Sequence, residues 1–498
     1  MSSFRHGVAS GDPTPDRVVI WTRFSGSPAQ DPAELRWTVA EDDRFKAVVG
    51  SGSVTAGPDT DFTAQVDVGG LEPATHYWYR FEAPEGDVSP TGRTKTLPAG
   101  NVERVRFGVV SCAKFNAGFF NGYGRLADRA DLDFVLHLGD YIYEASETPP
   151  ANQTPGADIG RPFEPRNECV TLADYRTRYA QYHADPDTQA MHAAHPLIAT
   201  LDDHEFADGA WRGGSDNHDE QRDGPWADRR AAAFRARREW LPVRLPDPAQ
   251  LDRVYRSVAL GNLADMFIID TRTGRDQPVK GSAAADPART QLGHVQRDWL
   301  FDGLRKSRAK WRLLANSSIL GRTWARGIPK ELHDGLAWLK LINTGGEGPD
   351  ADQWEGYPYE RNLLIEHLAR ENTVVLSGDI HIGMALQLER AGAPGKSIAP
   401  EFVTASLTSQ NLDDKTGWGY RIKSPAVERE FLAALSNVLW TDMDSHGYML
   451  ADLTPDRLRI EWWFVDTVLE RTHNERLGAS AEVKAGSPEI VNYNFPTT

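Results

Sequence analysis

Apolar and polar positions alternate through Arg17–Phe24, Glu34–Ala40, Ala64–Val68 and Tyr77–Phe81, with Gly, Pro and Asp clusters between the runs. A period of two broken by such residues predicts short β-strands joined by turns. Residues 1–97 therefore read as a small all-β unit. The segment Gly70–Arg80 resembles the tyrosine-corner region of a fibronectin-type sandwich. Thr96–Val102, carrying Pro98 and Gly100, reads as the linker that leaves this unit.

From Arg104 the pattern changes. Short continuous apolar runs at Val105–Val110, Phe134–Leu138, Leu197–Leu201 and Thr373–Leu376 predict strands buried on both faces. Helical stretches at Leu172–His183, Asp228–Trp240, Gln291–Ser307 and Arg361–Asn372 alternate with strands, which predicts a sheet covered by helices. Most of the arginines of Asp228–Trp240 are expected on a solvated helix face. Three long polar stretches, Ser146–Glu168, Asp208–Pro225 and Gly321–Gly356, are expected to wall a cleft, because loops of that length tend to be functional. No periodicity is visible after Glu470. The division is thus 1–97, 102–470, and a tail at 471–498 that packs on the preceding unit or is partly disordered.

Each of the four apolar runs closes on a polar cluster: Ser111-Cys112, Gly139-Asp140-Tyr141-Ile142-Tyr143, Asp202-Asp203-His204-Glu205 and Gly378-Asp379-Ile380-His381. Carboxyl ends of strands in an open α/β sheet meet at one crevice, so these clusters are expected to converge. Carboxylates suit hard cations, while a thiol, a phenol and imidazoles suit a transition metal. Two metals roughly 3.5 to 4 Å apart clamp a phosphoryl group and activate water, so the mixture predicts phosphate ester hydrolysis. His204, one residue past Asp203, is the candidate proton donor or charge stabiliser, with Asp202 orienting its ring. Arg272 and Arg275 follow the run Met266–Ile269 and are candidate forks for phosphate oxygens.

Composition narrows the partners. The 498 residues carry a formal charge of −16, which opposes non-specific attraction to nucleic acid, so no nucleic-acid-binding surface is expected. No apolar run approaches a membrane span, and Met1–Ile20 lacks the basic start and apolar stretch of an export signal. A cytoplasmic location is expected for the chain as it stands, or export if a signal was removed. Cys112 and Cys169 are the only cysteines, too few for a disulfide scaffold. Neighbouring ligand types favour Cys112 as a ligand over a small buried apolar residue; Cys169 has no such neighbours. A redox-active iron protein and a non-catalytic binding protein are the alternatives to a hydrolase.

The spacing Gly139-Asp140-x-x-Tyr143 resembles a motif of purple acid phosphatases and calcineurin-like metallophosphoesterases. Ser111-Cys112, Asp202-Asp203-His204-Glu205 and Gly378-Asp379-Ile380-His381 are similar to the narrower alkaline phosphatase D family. So are Gly7–Pro13, Trp21-Thr22-Arg23, Ile269–Arg272, Gln353–Tyr357 and His446-Gly447-Tyr448. The resemblance implies an α+β multidomain fold, a fibronectin-like sandwich followed by an α/β/β/α double sheet flanked by helices. It implies ferric iron on Cys112, Asp140, Tyr143 and His381, with Asp140 bridging to a second cation on Asp203 and Asp379. Calcium is implied there, with manganese, magnesium or zinc as substitutes. Asn316 stands where relatives carry a histidine, and with Arg272 it is assigned to substrate binding. The implied substrate is a phosphate mono- or diester, attacked in line by a metal-bound water.

Overall fold

The computed structural model describes residues 2–26, 32–147, 159–247, 249–326 and 328–496. The first hundred residues supply β1 (Val8–Gly11), β2 (Arg17–Arg23), β3 (Ala33–Ala40), β4 (Val48–Ala56), β5 (Thr63–Gly69), β6 (His76–Glu82) and β7 (Gly92–Lys95). Strands β4, β3, β6 and β7 pair in that order as a four-stranded antiparallel sheet. The inward positions Val18, Ile20, Leu35, Val39, Tyr79 and Phe81 close one core between this sheet and the β1, β2, β5 strands. The Tyr77 hydroxyl accepts a hydrogen bond from the Glu72 backbone N–H at 2.8 Å.

Further strands follow: β8 (Val105–Val110), β9 (Phe134–His137), β10 (Pro196–Ala199), β11 (Arg256–Leu260), β12 (Ala264–Ile268), β13 (Trp311–Ala315) and β14 (Thr373–Ser377). Then come β15 (Gly383–Glu389), β16 (Ser397–Val403), β17 (Val438–Asp442), β18 (Gly447–Leu453), β19 (Arg457–Val465), β20 (Glu475–Lys484) and β21 (Ile490–Asn494). They make two sheets. One runs β21-β20-β19-β18-β8-β9-β10-β1-β2-β5, and the other β11-β12-β13-β14-β16-β15-β17. The all-β unit at the start of the chain joins the ten-stranded sheet through β1, which lies parallel to β10 with Ser10 opposite Pro196 and Gly11 opposite Leu197.

The two large sheets pack face to face through Phe107, Leu136, Met266, Leu313, Leu376 and Trp462, all buried. Each such side chain contributes about 1.5 to 3 kcal/mol on leaving water. Their outer faces are covered by helices, Leu172–His183 and Trp226–Trp240 on the ten-stranded sheet and His294–Lys306 and Pro358–Leu368 on the other. The parallel strands β8, β9 and β10 are apolar at nearly every position because both of their faces are covered.

Residues 475–484 and 490–494 are strands at the sheet edge; β20 turns Ala479, Ala481 and Val483 into the core, and side chains that small leave little periodic signal. Of the arginines of Trp226–Trp240, Arg230, Arg235 and Arg238 reach solvent, whereas Arg229 is buried against Glu168 and Tyr175 and Arg237 donates to the Thr200 carbonyl.

Candidate metal centre

All four clusters meet, but they arrive from two sheets rather than one. Ser111-Cys112 follows β8, Asp140 follows β9 and Asp202-Asp203 follow β10 in the ten-stranded sheet, whereas Asp379 and His381 follow β14 in the other. Two glycines permit the approach. A Cβ on Gly139, whose φ is +106°, would stand 2.5 Å from the Asp202 backbone nitrogen. A Cβ on Gly378 would stand 2.7 Å from Ser111 Oγ. Cys112, Asp140, Asp379 and His381 themselves have φ between 55° and 67°. Left-handed backbone costs a non-glycine residue about 1 to 3 kcal/mol, so packing around the site holds these turns in place.

Ligand atoms of Cys112, Asp140 and His381 lie within 4.8 Å of one another, as do those of Asp140, Asp202, Asp203 and Asp379. Asp140 belongs to both groups. The Tyr143 hydroxyl adjoins the first, donating to Asp140 Oδ2 at 2.7 Å and lying 3.3 Å from His381 Nε2. Ser409 Oγ donates to the same hydroxyl at 2.6 Å. His381 Nδ1 faces the Gln410 carbonyl at 2.9 Å, which leaves Nε2 directed at the thiol and carboxylate side. Burial, aided by Lys415, pushes His381 well below the usual imidazole range, so its ring is neutral and able to ligate. Both groups suit cations. Asp203 Oδ1 is buried with no hydrogen-bond partner, which is the state of an oxygen reserved for an ion.

Electrostatics point the same way. Burial, then Asp140, pushes the Cys112 thiol and the Tyr143 phenol up, so each is protonated until a cation arrives. Burial also raises Asp140 to about 8, with Asp203, Glu205 and Asp379 adding to it against the pull of His204. Asp203 is the exception: burial opposes its charge, but Arg272, Lys340 and His204 hold its carboxyl well below the usual range. Glu205 ties the loops together by accepting from the backbone N–H groups of Asp140, Tyr141 and Asp202 at 3.0, 2.7 and 2.7 Å.

Three residues behave differently from the sequence expectation. Asp202 does not orient His204; its carboxylate takes the guanidinium of Arg272, and the His204 ring is held by Glu144, whose Oε2 lies 2.7 Å from Nδ1. Arg272 is fully buried and also bonds Asp352 at 2.7 Å and Asp379 at 3.1 Å, so its fork is committed to carboxylates. Asn316 is buried too: it accepts from Trp354 at 3.1 Å and donates to Ser377 Oγ at 3.1 Å, away from the cavity. Sequence reasoning missed Glu144, Asp352 and Lys340. The Lys340 ammonium lies 3.4 to 3.7 Å from Asp203, Asp208, Asp352 and Asp379. None of the three sits in a recognisable motif, although Glu144 adjoins Tyr143.

A cavity of about 1200 Å³ opens over this centre, with Tyr143, His204, Asp379 and His381 on its wall. All three long polar stretches contribute to its lining, through Glu147, Asp216 and Thr344 among others.

A family profile described as "PhoD-like phosphatase" matches residues 107–462, and one described as "PhoD-like phosphatase, N-terminal domain" matches residues 1–98. The chain belongs to the PhoD-like phosphatase family. It is 34% identical over 495 residues to "Alkaline phosphatase D" of Bacillus subtilis (strain 168), covering 94% of this chain and 78% of that protein. A solved structure, "Structure of PhoD", superposes with a TM-score of 0.84 at 30% identity, covering 98% of this chain and 92% of the other. This PhoD-like chain is a phosphoric ester hydrolase, and its hydrolysis of phosphate esters is metal dependent. Among the described residues no helix is long and apolar enough to cross a membrane.

Proposed function

We propose that hydrolysis uses two unlike cations that share Asp140: a ferric ion held by Cys112, Asp140, Tyr143 and His381, and calcium held by Asp140, Asp203 and Asp379. The observation that carries this reading is the membership of Asp140 in both ligand groups. Donor chemistry supports the assignment, since sulfur, phenol and imidazole favour a transition metal and an all-carboxylate group favours a hard cation. When bound, the cations supply positive charge for the phosphoryl oxygens and a water of lowered pKa for in-line attack.

The chain's own residues then position and protonate. Glu144 holds His204 by Nδ1, so Nε2 faces the cavity. Burial opposes the charge of His204, but Glu144 and Asp140 push its pKa well above the usual range, so the ring carries the proton that a departing alkoxide needs. Arg272 neutralises Asp202 and Asp379 and fixes their carboxylates; it positions ligands rather than gripping substrate. The cavity has room for both ester arms of a diester, and we assign the chain monoester and diester substrates. The Tyr77 contact to Glu72 supports a fibronectin-like sandwich at the start of the chain.

The test is release of phosphate from p-nitrophenyl phosphate and of p-nitrophenol from its bis ester by protein of known metal content. Activity should vanish with a chelator and return with iron plus calcium. Full activity with calcium alone, or no absorption band in the visible from the iron-loaded protein, would overturn the metal assignment.

A further inference from the structure

Two lysines face the same cavity with no acidic partner. Lys114 follows the Cys112 turn, and its ammonium lies over the Tyr143 ring, 5.8 Å from the centroid. Lys415 belongs to the short helix Leu412–Thr416, and its ammonium donates to the Trp338 carbonyl. Among the described residues neither forms an ion pair, whereas Lys340 on the same wall has four carboxylates around it. A part-buried ammonium left unpaired is costly, and in a chain of charge −16 carboxylates are plentiful. Lys114, Lys340 and Lys415 all line this one cavity. An anion placed between Lys114 and Lys415 would supply the counter-charge that neither has.

The cavity is far larger than a phosphoryl group. Resting on the hydrolase reading above, we propose that Lys114 and Lys415 form a subsite for a second anionic group, a carboxylate or another phosphate, carried by the substrate beside the phosphoryl group that reacts. Among the described residues no carboxylate lies within ion-pair distance of the Lys114 ammonium, which leaves that position of the cavity wall open to a ligand anion. The substrate class is thus a phosphoester with at least one further negative charge close to the scissile bond.

The experiment compares glycerol 1-phosphate with 3-phosphoglycerate, which differ by one carboxylate, on metal-loaded full-length protein. Each of Lys114→Met and Lys415→Met should lower the ratio of kcat/KM values, 3-phosphoglycerate over glycerol 1-phosphate, by about tenfold, the effect of one charge-assisted hydrogen bond. Lys→Arg at either position should restore most of it. A ratio unchanged in both Met variants would overturn the subsite. Calorimetric titration of 3-phosphoglycerate separates the two readings because it needs no turnover. Weaker binding by the Met variants supports the subsite even if no phosphate is released, an outcome that would sink the hydrolase reading alone. Equal binding by wild type and both Met variants sinks the subsite alone.

Discussion

Glu144 Oε2 stands 2.7 Å from His204 Nδ1, and both side chains are largely withdrawn from water. A carboxylate in that position favours imidazolium and extends the pH range over which His204 carries a proton. Glu144→Gln should therefore move the alkaline limb of the kcat/KM profile to lower pH, since the proton donor is lost earlier. His204→Ala should lower kcat by about 10²- to 10⁴-fold, the usual size of a lost general acid. Metal content, measured by elemental analysis, should stay constant in both variants. A Glu144→Gln profile identical to wild type would remove the pair from the mechanism.

Cys112 and Tyr143 are protonated before a cation binds, because burial raises both. Iron loading at pH 7 should thus release at least two protons per chain, as ligation requires thiolate and phenolate. Calorimetry in buffers of different ionisation enthalpy reads this number directly. Tyr143→Phe should release one proton fewer and lose the visible band; a proton count that does not change would exclude Tyr143 as a ligand.

Arg272 is the buried counter-charge of four carboxylates, Asp202, Asp203, Asp352 and Asp379. Removing one partner from such a network leaves uncompensated charge and costs about 3 to 5 kcal/mol. Arg272→Met should lower the melting temperature of metal-free protein strongly, and saturating calcium should recover part of the loss by supplying the missing charge. A variant as stable as wild type would mean that Arg272 serves substrate rather than the carboxylates.

Asp413 is pushed up to about 7 by burial, then by Asp444 and Asp414. Its unfolded value is lower, near 3.8. The folded state therefore holds a proton that the unfolded chain gives up. This group costs nothing below about pH 4, costs progressively more as pH rises, and costs its full amount above about pH 7. Asp413→Asn should flatten the decline of the melting temperature between pH 4 and 8 relative to wild type. Equal slopes would show that the carboxyl ionises alike in both states.

The parts of the fold legible in the sequence are those whose surroundings are uniform. Val105–Val110 is a strand over its expected length because both faces are buried, and Leu172–His183 is a helix with Thr171 and Asp174 as its capping box. Strand β4 was not legible, since Val48–Ala56 is mostly exposed and rich in Gly and Ser. The candidate metal ligands stood out because each belongs to a polar cluster that closes an apolar run. Lys340, Asp352 and Ser409 did not, because each is a single polar residue in a long loop and only the tertiary fold carries it to the centre. The fate of Arg272 was hidden for a related reason: an arginine after a strand suits phosphate or carboxylate equally, and the choice depends on Asp202 and Asp352 arriving from elsewhere.

The pairing of β1 with β10 ties the opening hundred residues to the rest through main-chain hydrogen bonds rather than through a hinge. Trimming the chain to the portion that bears the ligands would strip β10 of its neighbour and expose a raw strand edge one turn away from Asp202 and Asp203. The leading segment thus works as a retaining wall for the chemistry, and a minimal enzyme cut at the linker would be expected to clump before it could be assayed.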